Sequence, residues 1–190
     1  MDISKWVEKK QSELRTVESE LIGLDFERIQ NLGNVVVRAL NNGNKVAFLG
    51  NGGSAAEAMH LAAEFVSKCS VDHKPLNSIC LNESQSSITA IGNDYGFEFV
   101  FERLVQAEIK RGDILIALST SGKSKNIINA IKSAVKIGAI VILWTGSSVK
   151  KMTGVEVWNC AILATPRVQE IHLVWGHLLA EYVELHFPTK

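Results

Sequence analysis

A histidine and a glutamate four residues apart form the first pair whose types and spacing could do chemistry. His60 and Glu64 lie in AAEAMHLAAEF, a run of strong helix formers. A four-residue step puts both on one helix face, about 40 degrees apart, where they can share a metal ion or a substrate. The same pattern is also common as an ordinary surface or core pair. Glu57, one turn earlier, is expected to be solvated or to act as a helix N-terminal charge.

A second group of candidate ligands lies near the carboxyl end of the chain. Pro166 suits the first turn of a helix that carries Gln169, His172 and His177. Gln169 and His177 are separated by about 80 degrees of rotation and about 12 Å of rise. Both therefore reach one ion only if their side chains lean together or come from different subunits. His172 is a rival to His177 by spacing alone, and each is otherwise an ordinary helix residue.

Two turns rich in glycine and serine are shaped for a phosphorylated ligand. The first, GNGGS over 50–54, frees the backbone to turn sharply, and Ser54 is expected to cap the following helix. It is neither a G-x-G-x-x-G fingerprint nor a Walker A loop. The second, STSGKS over 119–124, sets four hydroxyls beside the amino end of a helix, where phosphate is bound well. Both are also acceptable as plain strand-to-helix connections.

The elements that must position these residues alternate short apolar runs with segments of helical period. This order predicts an α/β fold, three layers deep and doubly wound, with helices on both faces of a five-stranded parallel sheet. The two turns would then meet at the carboxyl edge of the sheet, where such folds bind ligands. The predicted strands are 45–50, 76–81, 113–118, 139–144 and about 157–163, and the predicted helices are 54–68, 84–91, 98–110, 124–137 and 166–186.

The first 43 residues read as two helices, about 3–23 and 25–42, placed ahead of this unit. We expect 1–43 to form a helical extension that belongs to the same domain as 44–190. The first helix carries one apolar stripe that must be buried somewhere. The pattern leaves open whether it packs on its own domain or on another copy of the chain.

Composition excludes several classes of protein. The chain has 190 residues, with 20 basic and 20 acidic side chains and 46% apolar residues, so it has no net charge for nucleic-acid binding and enough apolar residues for one core. No apolar run approaches the length of a membrane span, about 18 residues, and the amino terminus lacks a signal-peptide core. We therefore expect a cytoplasmic protein. Cys69, Cys80 and Cys160 are expected to be reduced core residues.

The ordered set of motifs resembles the sugar isomerase (SIS) domain family, and within it the sedoheptulose 7-phosphate isomerases, also called phosphoheptose isomerases. The resemblance covers nearly the whole chain. It implies a flavodoxin-like sheet, a homotetramer with active sites at subunit interfaces, and one Zn²⁺ per subunit. The motifs that carry it are GNGGS at 50–54, His60 with Glu64, GND at 92–94, STSGKS at 119–124, and RVQEIH at 167–172 with His177.

The resemblance also implies the ligand-binding residues. It assigns Zn²⁺ to His60, Glu64, Gln169 and His177, and so selects His177 over His172. The residues that it assigns to the sugar phosphate are Asn51, Gly52, Gly53, Ser54, Glu64, Asn93, Asp94, Ser119, Thr120, Ser121, Ser124 and Gln169.

The implied reaction converts sedoheptulose 7-phosphate into D-glycero-D-manno-heptose 7-phosphate, the first step towards bacterial heptose for lipopolysaccharide or capsule. Such an aldose-ketose exchange needs a base and an acid, for which we take Glu64 and His177. Lys68 stands where many relatives carry Arg, and Pro166 where some carry Asp. Lysine keeps the charge but loses a bidentate grip, so substrate preference or turnover could differ. The alternatives are a non-enzymatic SIS protein that binds the replication initiator, and a sugar-phosphate sensor.

Overall fold

Five short apolar runs form one parallel sheet in the computed structural model, which describes residues 2–146, 149 and 151–189. The strands lie in the order β2-β1-β3-β4-β5, and every neighbouring pair is parallel. This order places β1, β3 and β4 in the middle of the sheet, with β2 and β5 at its edges. The strands are β1 (Val46–Gly50), β2 (Ser78–Cys80), β3 (Ile114–Ser119), β4 (Ile140–Thr145) and β5 (Val155–Asn159).

Helices cover both faces of the sheet, so the predicted three-layer α/β fold is confirmed. On one face, Phe48 and Ile116 pack in a core with residues of α2, α3 and α7. On the other face, Leu49 and Leu115 pack with residues of α5 and α6. Alternate residues of a strand point to opposite faces, which is why β1 and β3 are apolar up to their last residues, Gly50 and Ser119. The helices are α1 (Ile3–Ile22), α2 (Phe26–Asn41), α3 (Gly53–Val66), α4 (Gln85–Asp94), α5 (Val100–Glu108), α6 (Lys125–Ile137) and α7 (Thr165–Glu184), with a 3₁₀ turn at Phe97–Phe99.

The last strand was placed wrongly by the sequence. It runs over 155–159 instead of about 157–163. As an edge strand it pairs only with β4, so it tolerates the exposed Glu156. A charged residue interrupts the apolar run, and for this reason the predicted strand began after it. The chain leaves the sheet at Cys160, whose amide donates to the Thr145 carbonyl at 3.2 Å. The apolar residues that follow connect β5 to α7.

The apolar stripe of α1 divides into two parts. Its carboxyl end, with Val17 and Leu21, packs on the core of its own chain. Its amino end does not, since Ile3 and Trp6 are 76% and 46% exposed. Each of the two packing modes left open by the sequence is therefore available to a different half of the helix.

The three cysteines are free thiols, two of them buried. Burial raises the pKa of Cys80 to about 11 and that of Cys69 to about 12, so these thiols stay protonated at neutral pH. Among the described residues, no helix is both long and apolar enough to cross a membrane.

Candidate active site

The glycine and serine turns meet at the carboxyl edge of the sheet, as their positions predicted. The side-chain amides of Asn51 and Asn126 bond each other reciprocally, at 2.9 and 2.8 Å, and so join the turn after β1 to the start of α6. Asn82, just after β2, clamps Gly50 from the other side: it accepts from the Gly50 amide at 3.1 Å and donates to the Gly50 carbonyl at 2.9 Å. Asn82 and Asn126 were missed because their partners are distant in sequence.

The serine turn is held by its own hydroxyls and by the loop after β4. The buried Ser119 hydroxyl accepts from the Gly122 amide at 3.1 Å, and the Ser121 hydroxyl accepts from the Lys123 amide at 3.2 Å. The Thr120 carbonyl accepts from the Gly146 amide at 3.0 Å. Ser124 precedes α6 as its N-cap residue, yet its side chain makes no capping hydrogen bond.

Ser54 does not cap α3, contrary to the expectation. The helix begins one residue earlier, after Gly52, whose φ of 56° lies in the left-handed region that favours glycine. Ser54 is therefore buried in the first turn, where its hydroxyl meets the side-chain amide of Gln169 at 3.5 Å. A Cβ on Gly53 would lie 2.3 Å from the Gln169 nitrogen, so glycine leaves the space that Gln169 occupies. The side chain of Gln169, from α7, therefore lies against the start of α3.

Further along α3, His60 and Glu64 converge with His177 of α7. The Nε2 atoms of His60 and His177 lie 2.8 Å apart, and Glu64 Oε1 lies 3.4 Å from His60 Nε2. One donor atom from each of the three residues lies within 4.8 Å of the others. Two imidazole nitrogens and a carboxylate oxygen are a common set of protein ligands for catalytic zinc. The donor set therefore fits a divalent ion of the zinc type.

Close packing of α7 on α3 brings these residues together. A Cβ on Gly176 would lie 2.2 Å from Leu61 Cδ2, so only glycine lets α7 approach this near to α3. Leu61 is fully buried and cannot move into solvent. Because His177 follows Gly176 directly, this contact sets how far His177 stands from His60.

A buried carboxylate fixes the segment after α3 to the end of α7. Glu184 accepts from the backbone amides of Cys69, Ser70 and Val71, at 3.1, 2.9 and 3.0 Å. The His73 ring lies beside it, with 3.9 Å between His73 Nε2 and the nearer carboxylate oxygen. The network closes the α3–α7 pair beyond Glu64, and no local pattern in the sequence predicted it.

Glu57 was expected to be solvated or to act as a helix N-terminal charge, and the first of these expectations is wrong. Its side chain is on the inner surface of α3, and the residue is only 6% exposed. Burial raises the pKa of Glu57 to about 7, while the Ser54 hydroxyl opposes that shift. Helix spacing alone could not reveal this, because burial depends on packing between elements that are distant in sequence.

His172 lies in the core and not beside His60. It is fully buried between Trp144 and Trp175, with ring centroids 6.2 and 5.6 Å away. Burial lowers the pKa of His172 to about 3, so the ring is neutral at physiological pH.

Asn93 and Asp94 are the predicted residues that the structure leaves apart. They are exposed at the end of α4, where the Asn93 amide donates to Asp94 at 2.8 Å. Within the described part of the chain, no hydrogen bond joins them to either turn. Lys68 is exposed just beyond α3, and Pro166 lies in the first turn of α7.

Comparison with known proteins gives this arrangement a family. The family model of the SIS domain matches residues 9–146, so the chain belongs to the SIS domain family. Within that family, it is 40% identical over 180 residues to the phosphoheptose isomerase of Aquifex aeolicus, covering 94% of each chain. The resemblance found in the motifs is confirmed.

Solved structures agree with this assignment. The phosphoheptose isomerase of Neisseria gonorrhoeae matches with a TM-score of 0.85 and 31% identity, over 97% of this chain and 100% of that one. A phosphoheptose isomerase from Francisella tularensis matches with a TM-score of 0.87 and 28% identity, over 97% and 99%.

Proposed function

We propose that this protein is an isomerase that converts sedoheptulose 7-phosphate into D-glycero-D-manno-heptose 7-phosphate. The observation that carries the proposal is the convergence of His177 of α7 with His60 and Glu64 of α3, the helix that directly follows the glycine turn. Similarity to phosphoheptose isomerases over nearly the whole chain supports the same substrate class. A binding protein or a sensor has no chemical need for this acid-base group.

Glu64 and His177 supply the proton transfers of this reaction. Glu64 takes a proton from carbon 1 of the ketose while His177 gives a proton to the carbonyl oxygen at carbon 2, which yields an enediol. Return of a proton to carbon 2 and loss of the proton from the oxygen at carbon 1 then complete the aldose. Glu64 is only 17% exposed, so its carboxylate is largely shielded from competing solvent.

His60, Glu64 and His177 would hold the metal ion, with Gln169 as the fourth ligand implied by the family resemblance. Glu64 and His177 each have a second oxygen or ring nitrogen, which would remain for proton transfer. When bound, zinc would supply Lewis-acid polarisation of the substrate carbonyl. Gln169 of the same chain contacts Ser54 instead, about two helical turns from His60. That placement supports a site completed across a subunit interface, where a second copy of the chain supplies what one copy does not.

The two turns would bind the rest of the sugar phosphate. Exposed amides at the start of α3 and α6 favour an anion, and the Asn51–Asn126 pair keeps both turns in register. We assign the phosphate to the serine turn, with Ser119, Thr120, Ser121 and Ser124, and the sugar to the glycine turn. Asn93 and Asp94 belong to this proposal through the family resemblance alone.

A homotetramer is part of the proposal, with residues 1–43 as oligomerisation helices of the same domain as 44–190. The exposed apolar end of α1 supports it, because Ile3 and Trp6 find no cover in one chain. Sedimentation equilibrium should show a tetramer that the variant Trp6→Glu weakens. We also propose that the protein acts in the cytoplasm, where the charge of a sugar phosphate retains it.

The test is NMR of the purified, zinc-loaded protein with sedoheptulose 7-phosphate, before and after chelation. We expect an aldose-phosphate signal that disappears on chelation and returns with zinc. Glu64→Gln should abolish it, whereas Glu27→Gln, the same change on an exposed helix position, should leave it intact. Folded, metal-loaded protein that leaves the ketose unchanged would contradict the proposal and favour the initiator-binding or sensing alternatives.

A further inference from the structure

Glu57 shares one stripe of α3 with the candidate catalytic residues. Gly53, Glu57, His60 and Glu64 fall within about 60 degrees of one another around the helix axis. Helix α7 covers this stripe on either side of Glu57, because Gln169 lies against Gly53 and His177 lies against His60. Glu57 therefore stands between the two parts of the site.

The carboxyl group of Glu57 is closed off and incompletely paired. Neither carboxyl oxygen is accessible, and neither completes a hydrogen bond with any residue that the structure describes. A buried carboxyl without a partner is costly, so an apolar residue would serve packing better at this position. Its presence calls for a reason other than stability.

Ser54 is the neighbour through which Glu57 can act. It precedes Glu57 by three residues on α3, so the two side chains are neighbours on the helix surface, and both residues are buried. The Ser54 hydroxyl contacts the Gln169 amide.

We propose that Glu57 is a positioning residue whose carboxyl group accepts a hydrogen bond from the Ser54 hydroxyl when substrate binds and thereby orients Ser54 and Gln169 towards the substrate. This inference rests on the proposed function. It explains why a carboxyl group is kept where packing favours an apolar side chain. It also connects the glycine turn to the catalytic group along a single helix face.

The test compares Glu57→Leu, Glu57→Gln, Ser54→Ala and the double variant of Ser54→Ala with Glu57→Leu, in steady-state turnover of sedoheptulose 7-phosphate by zinc-loaded protein. Glu57→Leu should lower kcat/KM about tenfold or more, chiefly by raising KM, since Ser54 and Gln169 bind substrate. Glu57→Gln keeps the hydrogen bond and should stay within about threefold of wild type. The double variant should be no worse than Ser54→Ala alone.

Urea unfolding of the same variants separates positioning from packing. Glu57→Leu should be at least as stable as wild type, so its loss of turnover would not be due to unfolding or poorer packing. Full activity of Glu57→Leu, failure of Glu57→Gln to restore turnover, or additive losses in the double variant would each overturn the inference. If Glu57→Leu does not fold, the pair Glu57→Gln and Ser54→Ala decides the question by the same criteria. An inactive wild-type protein would instead refute the proposed function, and this inference with it.

Discussion

Replacing Gly176 by alanine tests whether the close approach of α7 to α3 builds the metal-binding group. The new Cβ would lie 2.2, 2.6 and 2.9 Å from Cδ2, Cδ1 and Cγ of Leu61. Ordinary carbon contacts are about 3.5–4.0 Å, so the closest of these contacts is short by more than about 1 Å. Either Leu61 changes rotamer or the helices separate. Because Leu61 is fully buried and has no solvent to turn into, we expect the helices to separate.

Two opposing effects set the size of the stability change. Overpacking a core costs about 1–3 kcal/mol, whereas alanine improves the helix by about 1 kcal/mol relative to glycine. We expect a net loss of about 1 kcal/mol in the free energy of unfolding. The effect on the site should be larger, because His177 moves with Gly176 and the group depends on its distance from His60. Zinc affinity should fall by about 10–100-fold.

Calorimetric zinc titration against a competing chelator, together with urea unfolding, measures both effects. Gly92→Ala is the matched control, since it makes the same change within a helix but its Cβ meets only Val100, at 3.9 Å. That control should bind zinc normally and be slightly more stable. Adding Leu61→Ala to Gly176→Ala should restore part of the zinc affinity by making room. If Gly176→Ala alone binds zinc like wild type, the role given to this contact is wrong.

Two further predictions concern buried ionisable groups. Glu184→Gln should reduce the free energy of unfolding by about 3 kcal/mol in urea, because three backbone amides lose a carboxylate acceptor, while Glu181→Gln, which keeps an acceptor for its one hydrogen bond from the Ser70 hydroxyl, should cost less than about 1 kcal/mol. The second concerns pH. The pKa of Glu57 is raised from 4.5 to about 7, so its contribution to stability is lost as pH rises through that window. The pKa of His172 is lowered from 6.5 to about 3, so its contribution is lost as pH falls through that window. The two oppose each other where the windows overlap, so wild type should change little there, whereas Glu57→Gln should lose about 2–3 kcal/mol as pH falls from about 6.5 to 4.5. Urea unfolding across this range measures it, and a flat profile in Glu57→Gln would contradict the burial argument.

Local patterns predicted most of the fold because its strands are buried on both faces. Continuous apolar runs place the central strands β1, β3 and β4 within one residue of their observed starts. The same rule failed at β5, where an edge strand carries an exposed Glu156. Edge strands lack the burial on which that prediction depends.

The candidate site was predictable only where its geometry lies within one element. His60 and Glu64 follow from a four-residue step on a single helix. The position of His177 depends on how α7 crosses α3, which spacing within α7 cannot give, and so His172 remained a rival until the family resemblance was used. The burial of Glu57 and the pairing of Asn51 with Asn126 arise from the same kind of contact between elements distant in sequence.

The pairing of α3 with α7 therefore carries both packing and chemistry. Leu61 and Gly176 fix the distance between the helices, and Glu184 fixes their far end. On the stripe between these contacts, the chain keeps a carboxyl group that weakens the core and two histidines close enough to repel if both were charged. Residues that are unfavourable for folding are retained where they perform another task. Their concentration on this one helix interface supports placing the reaction there.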